Sequence, residues 1–442
     1  MVNLYFAPDA QLLHSDRLVL DVLTKDYNRY QAKHGSEAEK TKLRHDSASP
    51  EDANELQEKS IAKLKSVNNP KSKDFDPTVF VTWDLPDTNV PPFLKKWILD
   101  PYIRWARLIV RFETDVVMLT HLFLYLFTTI PSALYLFYDF HWWHGPLHFV
   151  MQVYFMGTYT LMMHQHIHQR GILAKRYAFI DHLFPYITDP LMGHTWNSYF
   201  FHHVKHHHIE GNGPNDLSST VRYQRDDVWH FLHYVGRFYF LIWFDLPRYF
   251  LSTRKPGLAL KACTCEIMNY VFLYIMFKYV NSRATTFALL MPLFTMRLGL
   301  MIGNWGQHAF VDEVSPDSDF RSSITLIDVP SNRYCYNDGY HTSHHLNPLR
   351  HWRDHPVSFL IQKQQYSDEH ALVFYNIDYL MITFNLITKN YMHLAKCLVP
   401  MGEAQMKLSM EERAEMLRSK TRRFSEEEIA EKWGKQYARL KK

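Results

Sequence analysis

Long apolar runs alternate with polar, histidine-rich stretches through the middle of the chain, and polar segments flank them on both sides. A membrane-crossing helix needs about 20 mainly apolar residues. Four stretches approach or exceed that length: 113–138, 147–163, 262–280 and 284–303. The first contains Pro131, which predicts a kink. A further stretch, 228–251, is aromatic but carries His230, His233, Arg237, Asp245 and Arg248. Charges of that number are costly inside a bilayer, so it reads as an interfacial amphipathic helix. Residues 371–391 are apolar with Asp378 inside, which predicts a buried or interfacial helix. No internal repeat is evident. The pattern predicts an all-α integral membrane protein with about four transmembrane helices.

Arg104, Arg107 and Arg111 precede the first span, which predicts a cytosolic N-terminal side. The turn at 139–146 has two Trp and no Lys or Arg, as expected of the lumenal interface. Four crossings would then bring 164–227 and 304–356 to the cytosolic side as a helical cap. Three regions are expected: a polar N-terminal segment at 1–100, a membrane domain at 101–400 and a charged C-terminal tail at 401–442. Within the first, Ser49-Pro50-Glu51 predicts a helix start, with Leu56, Ile61 and Leu64 on one side up to residue 66. Pro70, Pro77, Pro86, Pro91 and Pro92 keep the following stretch extended or turned. Both flanking regions read as solvated tails or partner-binding segments. Residues 1–9 lack a basic region followed by an apolar core, so the first span is expected to act as the insertion signal. Lys441-Lys442 lacks dilysine retrieval spacing and says little about location.

Cysteine is scarce: Cys263, Cys265, Cys335 and Cys397, with no Cys-x-x-Cys pair. A zinc-ribbon or rubredoxin-like appendage and a disulfide scaffold are thereby excluded. The net charge of +4 comes without a basic, aromatic-interleaved stripe, so no nucleic-acid partner is expected.

Histidine changes the picture. The chain has 27 of them in 442 residues, and they gather in runs. His164-Gln-His166-Ile-His168 ends the second span, and helical geometry puts His164 and His168 on one face. His202-His203-Val-Lys-His206-His207-His208 follows, then Asn304-Trp-Gly-Gln-His308 at the end of the fourth span, then His341-Thr-Ser-His344-His345. A His-x-x-His-His run would arise by chance roughly 0.1 times at this composition. Imidazole is a neutral nitrogen donor suited to Fe, Zn, Cu and Ni. One structural zinc uses four ligands, and the histidines here suit two metal ions. Two irons can together bind and reduce O2 and attack an unactivated C–H bond. Carboxylates would orient the rings through their other N–H groups, with Asp216, Asp312, Asp338 and Asp354 as candidates. The second run satisfies two spacings, His203/His206/His207 and His203/His207/His208.

These runs resemble the histidine boxes of the membrane fatty-acid desaturase and hydroxylase superfamily, which includes the membrane alkane hydroxylases. The likeness covers about residues 113–356. His164 and His168 resemble the first box. His341, His344 and His345, followed by Leu346-Asn347-Pro348, resemble the third, and Asn304 with His308 resembles an Asn-x-x-x-His element. The resemblance implies a cage for two non-haem Fe ions, with O2 as co-substrate and Asn304 reaching iron through water. For the second box it favours His203, His207 and His208, because Pro214-Asn215-Asp216 then parallels the Pro-Glu-Asp that follows the box in alkane hydroxylases. His206 would stand outside the ligand set, although the alternative in which it replaces His208 stays open. The sequence after this box departs from that of acyl-CoA desaturases. No His-Pro-Gly-Gly haem motif occurs in the first 100 residues, so electrons are expected from a separate donor of the cytochrome b5 or ferredoxin/rubredoxin type.

The implied function is an O2-dependent di-iron membrane oxidoreductase acting on lipid acyl chains, foremost a fatty acid desaturase introducing a C=C bond. A fatty-acid or alkane hydroxylase with the same cage is the alternative. A histidine-rich membrane metal transporter belongs to a third class and would need its ligands along a path through the bilayer. The expected location is a multi-pass membrane protein among membrane lipids, in the endoplasmic reticulum if the source is eukaryotic.

Overall fold

The computed structural model describes residues 12–35, 50–81, 83–327 and 329–438. Residues 1–9, Ser49 and Lys441-Lys442, on which expectations were placed above, lie outside them or at their edge. Of the described residues 69% are helical, and few are in strands. The chain divides into two compact units. One takes residues up to Pro77, Val81–Thr88 and Gly306–Arg422; the other takes Thr78–Phe80, Asn89–Trp305 and the residues from Arg423 onward. Each unit draws on residues from both sides of positions 100 or 400.

The unit spanning Asn89–Trp305 contains the apolar helices. Three among the described residues are long and apolar enough to cross a membrane: Val116–Tyr138, Pro256–Val280 and Ser282–Gln307. They match three of the four expected spans. The fourth expected span, 147–163, falls in the helix His144–Gln169, which is long but carries five His and three Gln. Its Gln152 donates to the carbonyls of Leu191 (2.6 Å) and Ala288 (3.1 Å), so its polar face is used within the unit. The first span breaks at Thr128. Pro131 has no N–H for the carbonyl four residues earlier, which explains a break one turn before it. Asn281 separates the other two spans, and its side chain caps the second by accepting from the N–H of Ala284 (3.0 Å). The aromatic stretch forms the single helix Val228–Ser252, with Arg237 and Asp245 paired at 3.1 Å. Ahead of the first span, residues 92–106 are helical and expose Phe93, Trp97, Ile98 and Trp105 among Lys95, Lys96 and Arg104. Such a mixture suits a membrane interface.

The other unit contains a small sheet that an all-α reading does not anticipate. Strand β1 (Ile324–Ile327) pairs in parallel with β2 (Leu372–Tyr375), and β2 pairs antiparallel with β3 (Leu398–Val399). The apolar stretch expected as one helix over 371–391 is therefore β2 followed by the helix Tyr379–Ile387, which Asp378 caps by accepting from the N–H of Met381. Four-residue apolar runs bounded by turns are too short to nucleate a helix, and a strand buries both of their faces. Alternation along the strands separates two cores. Ile324, Leu326, Leu372, Phe374 and Leu398 face Ile382, Leu386, Leu394 and Leu417. Ile327, Val373 and Val399 face Val19, Leu20, Leu23, Tyr27 and Leu64.

The second core corrects the expectation of solvated tails. Helix His14–His34 supplies a full apolar face, and helix Pro50–Asn68 adds Leu64, with Leu56 and Ile61 packed beside it. Helix Met410–Ser419 buries Ala414 and Leu417 in the first core. The helix expected over 50–66 is present with its expected side packed, whereas polar composition hid the faces of the other two, because few apolar residues suffice when they recur on one side.

Asp16 in helix His14–His34 is fully buried. It accepts from the Tyr340 hydroxyl at 2.7 Å and from Asn332 at 3.3 Å. Burial pushes its carboxyl up to about 6, against those two hydrogen bonds. A raised carboxyl stabilises the fold fully below its unfolded value of 3.8 and loses that contribution as pH rises through about 6. Stability should therefore fall by on the order of 3 kcal/mol between about pH 4 and 6 and level off above. Thermal unfolding in detergent is expected to follow this profile in the wild type and to lose it in Asp16→Asn.

Candidate metal centre

In the unit spanning Asn89–Trp305, His164 and His168 occupy the last turns of helix His144–Gln169, their rings 4.7 Å apart. The helix stops at Arg170 and Gly171, both in the left-handed region, where Gly171 N–H returns to the carbonyl of His166 (2.9 Å). His166 points elsewhere, its Nε2 being 3.7 Å from Asp181.

The second run is wound as a π-helix over Phe200–His207, and the N–H of His208 reaches back to the carbonyl of His203. An α-turn would align residues four apart. The wider turn instead brings His203 and His208 together, Nε2 to Nε2 at 3.0 Å. His203 Nε2 also lies 2.8 Å from His164 Nε2. The ligand nitrogens of His164, His168, His203 and His208 all fall within 4.8 Å of one another. One Nε2–H could donate to only one of its two neighbours. Two nitrogens each about 2.1 Å from one ion, at right angles, would lie about 3.0 Å apart, so these spacings fit a shared cation. Desolvation within the cluster, then the neighbouring rings of His208, His164 and His168, hold His203 well below the usual imidazole range. A neutral ring is the form that binds metal.

His207 is oriented by Asp216. Its Nδ1 donates to Asp216 Oδ2 at 2.7 Å, which leaves Nε2 as the acceptor nitrogen. The N–H and O–H of Ser218 each donate to Asp216 Oδ1 at 2.9 Å. Burial would raise the Asp216 carboxyl, but His207 and His206 outweigh it and keep it well below the usual carboxylate range. His206 is used differently. It is fully buried against Tyr249, and its Nε2 accepts from the N–H of Leu217 at 2.8 Å. Asn304, near the end of helix Ser282–Gln307, donates through Nδ2 to the Ser218 carbonyl (2.8 Å) and to the Tyr234 hydroxyl (2.7 Å).

In the unit containing the sheet, the short helix His341–Leu346 puts His341 and His345 one turn apart, with ring centroids at 4.5 Å. His308 lies 5.0 and 4.9 Å from them, and its Nε2 is 3.2 Å from His341 Nε2. His308 Nδ1 donates to the Ser322 carbonyl at 2.8 Å, which fixes Nε2 as the inward nitrogen. His345 Nδ1 is 3.4 Å from Asp319. His344 sits on the same helix at 6.0 and 6.2 Å from His341 and His345, beside His355.

Of the four carboxylates suggested by sequence, Asp216 contacts a candidate ligand, His207. Asp312 pairs with Lys420 and Arg321. Asp338 accepts from Gln307 at 2.9 Å, and burial pushes it up to about 7. Asp354 accepts from Asn68 at 3.2 Å. Asp319 and the Ser322 carbonyl take the orienting role beside His345 and His308, and the Tyr199 ring lies 5.2 Å from that of His203, tilted by 36°. No spacing rule could have picked out the first two, which lie far from their partners in the chain.

The sequence profile of the family described as Fatty acid desaturase matches residues 140–374, more than half of the chain, and every candidate ligand falls inside the match. The chain belongs to the fatty acid desaturase family. Membership makes it an oxidoreductase of the desaturase/hydroxylase type that acts on lipids, and its histidine groups could hold metal. None of the curated proteins and none of the solved structures compared with it matches significantly.

Proposed function

We propose that the protein is a multi-pass membrane fatty acid desaturase that holds two non-haem irons and consumes O2. The observation that carries this reading is the clustering of His164, His168, His203 and His208 in one unit and of His308, His341 and His345 in the other, all inside the family match. His164, His168, His203 and His208 would hold one ion, and His308, His341 and His345 the other. His207, His344 and Asn304 complete the ligand set, with Asn304 acting through water. Imidazole-only donors are consistent with iron, although zinc or copper would also accept them.

Bound iron would supply the activation of O2. The residues supply the rest. Asp216, Asp319 and the Ser322 carbonyl fix ring tautomers, so that the inward nitrogens can accept a cation without reorganising. The apolar spans offer an environment for an acyl chain, and positioning decides which of many alike methylenes reacts. Desaturation removes two hydrogens from adjacent carbons and reduces O2 to two waters. The balance needs two protons from water and two electrons, the latter from a separate cytochrome b5-type or ferredoxin/rubredoxin-type donor. His144–Gln169 would complete four crossings, with both histidine sets on the cytosolic side, as expected of an endoplasmic-reticulum enzyme if the source is eukaryotic.

Hydroxylation by the same ligands is the second reading, favoured by Pro214-Asn215-Asp216 and by Asn304 with His308. Lipid mass spectrometry of cells expressing the wild type or His344→Ala separates the two. Lipids two hydrogens lighter, absent from the variant, are expected. Lipids heavier by one oxygen would replace the desaturase reading with the hydroxylase one.

A further inference from the structure

The loop that follows the second histidine run carries Asp216, and the segment from Arg423 to Trp433 is fastened across it within the same unit. We propose that this C-terminal segment is a clasp that positions Asp216, and through it His207, for metal binding, an inference that rests on reading His207 as a ligand.

The loop is braced from inside by Asn212, whose Oδ1 accepts from the N–H of Thr220 at 2.8 Å and whose carbonyl accepts from Ser219 at 2.8 Å. From outside it is held by the C-terminal segment. The N–H of Phe424 donates to the Val221 carbonyl at 3.0 Å, and the N–H of Arg423 donates to Gln224 Oε1 at 3.3 Å. Glu426 accepts from Arg222 Nε at 2.8 Å, and the same guanidinium donates to the carbonyl of Pro214, two residues before Asp216. Trp433 lies over Gly213. A Cβ on that glycine would come within 2.7 Å of the Glu210 carbonyl and 3.4 Å of the indole nitrogen, so the backbone passes close beneath the ring.

The half-exposed ion pair adds little grip. The hold comes mainly from Phe424, Ile429 and Trp433, which are 1%, 0% and 6% exposed. A capping box starts the helix that presents the last two: Ser425 N–H donates to Glu428 (2.8 Å), and Glu428 N–H donates to Ser425 Oγ (3.2 Å). Loss of a carboxylate that orients a ligand histidine changes metal affinity about 10–100-fold. A segment that fixes the loop bearing that carboxylate acts on the same property at a distance, as a positioning element.

The test uses the purified full chain carrying Trp433→Ala, Trp433→Phe or Glu426→Gln, and the chain ending at Arg422. Hydrogen exchange of peptides spanning 211–224 is followed without added metal, and iron loss to a chelator is followed after loading. Trp433→Ala and the truncation are expected to speed both by about 10-fold, with Glu426→Gln smaller and Trp433→Phe close to wild type. Faster exchange with unchanged iron loss would overturn the proposal, because the segment would then only cover the loop. Unchanged exchange would overturn it as well. If the truncated chain fails to fold, the point variants decide. His207→Ala separates the two levels: iron loss unaffected there would overturn the ligand reading and the clasp with it. Faster iron loss there, but not in Trp433→Ala, would overturn the clasp alone.

Discussion

Replacing His203 with alanine is expected to lower product formation by at least about 100-fold, beyond the 10–100-fold typical of losing a residue that merely orients a ligand. Its Nε2 stands 2.8 Å from that of His164 and 3.0 Å from that of His208, so it joins the α-helical pair of the first run to the π-wound second run. Alanine at this position removes the nitrogen that lies about 3 Å from both His164 and His208 and leaves three imidazoles to hold the ion. The fold should survive, because His203 is only partly buried and the cores lie elsewhere. Turnover of the expected lipid product, measured beside the thermal midpoint, checks this. Activity within a few-fold of wild type would remove His203 from the ligand set.

Asp216→Asn should reduce activity about 10–100-fold while leaving the chain folded. The carboxylate accepts from His207 at 2.7 Å and from Ser218 at 2.9 Å. Asparagine keeps the volume but loses the charge that stabilises the Nδ1–H tautomer, so His207 is freed to present the wrong nitrogen. Asp312→Asn is the control. That carboxylate pairs with Lys420 and Arg321, so its loss should cost stability and spare turnover at saturating substrate. Equal losses from the two substitutions would remove the special role of Asp216.

The histidine runs were legible because spacing along a helix is geometry: His164 with His168 and His341 with His345 meet as residues four apart must. The partnership of His203 with His208 was less so, since it needs a π-turn that spacing does not announce. His206 and His208 were interchangeable in sequence. They differ because His206 Nε2 accepts from the Leu217 N–H, an interaction made by a later loop. Asp319 was invisible for the same reason: strand β1 and the chain around it carry it to His345. Three apolar spans were legible from length and composition. In the flanking regions the helix over 50–66 was legible from Leu56, Ile61 and Leu64 on one side, but the helices His14–His34 and Met410–Ser419 were not, because each packs through a thin apolar stripe among charges, as with Val19, Leu20 and Leu23 or with Ala414 and Leu417. The sheet escaped because its strands are only two to four residues long.

The central claim is that two histidine sets hold two irons. Metal content per chain, determined by elemental mass spectrometry on protein purified from iron-supplied cells, tests it most directly. Two irons are predicted in the wild type, falling by about one in His203→Ala and by about one in His341→Ala. A wild-type chain that carries zinc in place of iron, or at most one iron, or a count that neither substitution lowers, would contradict it.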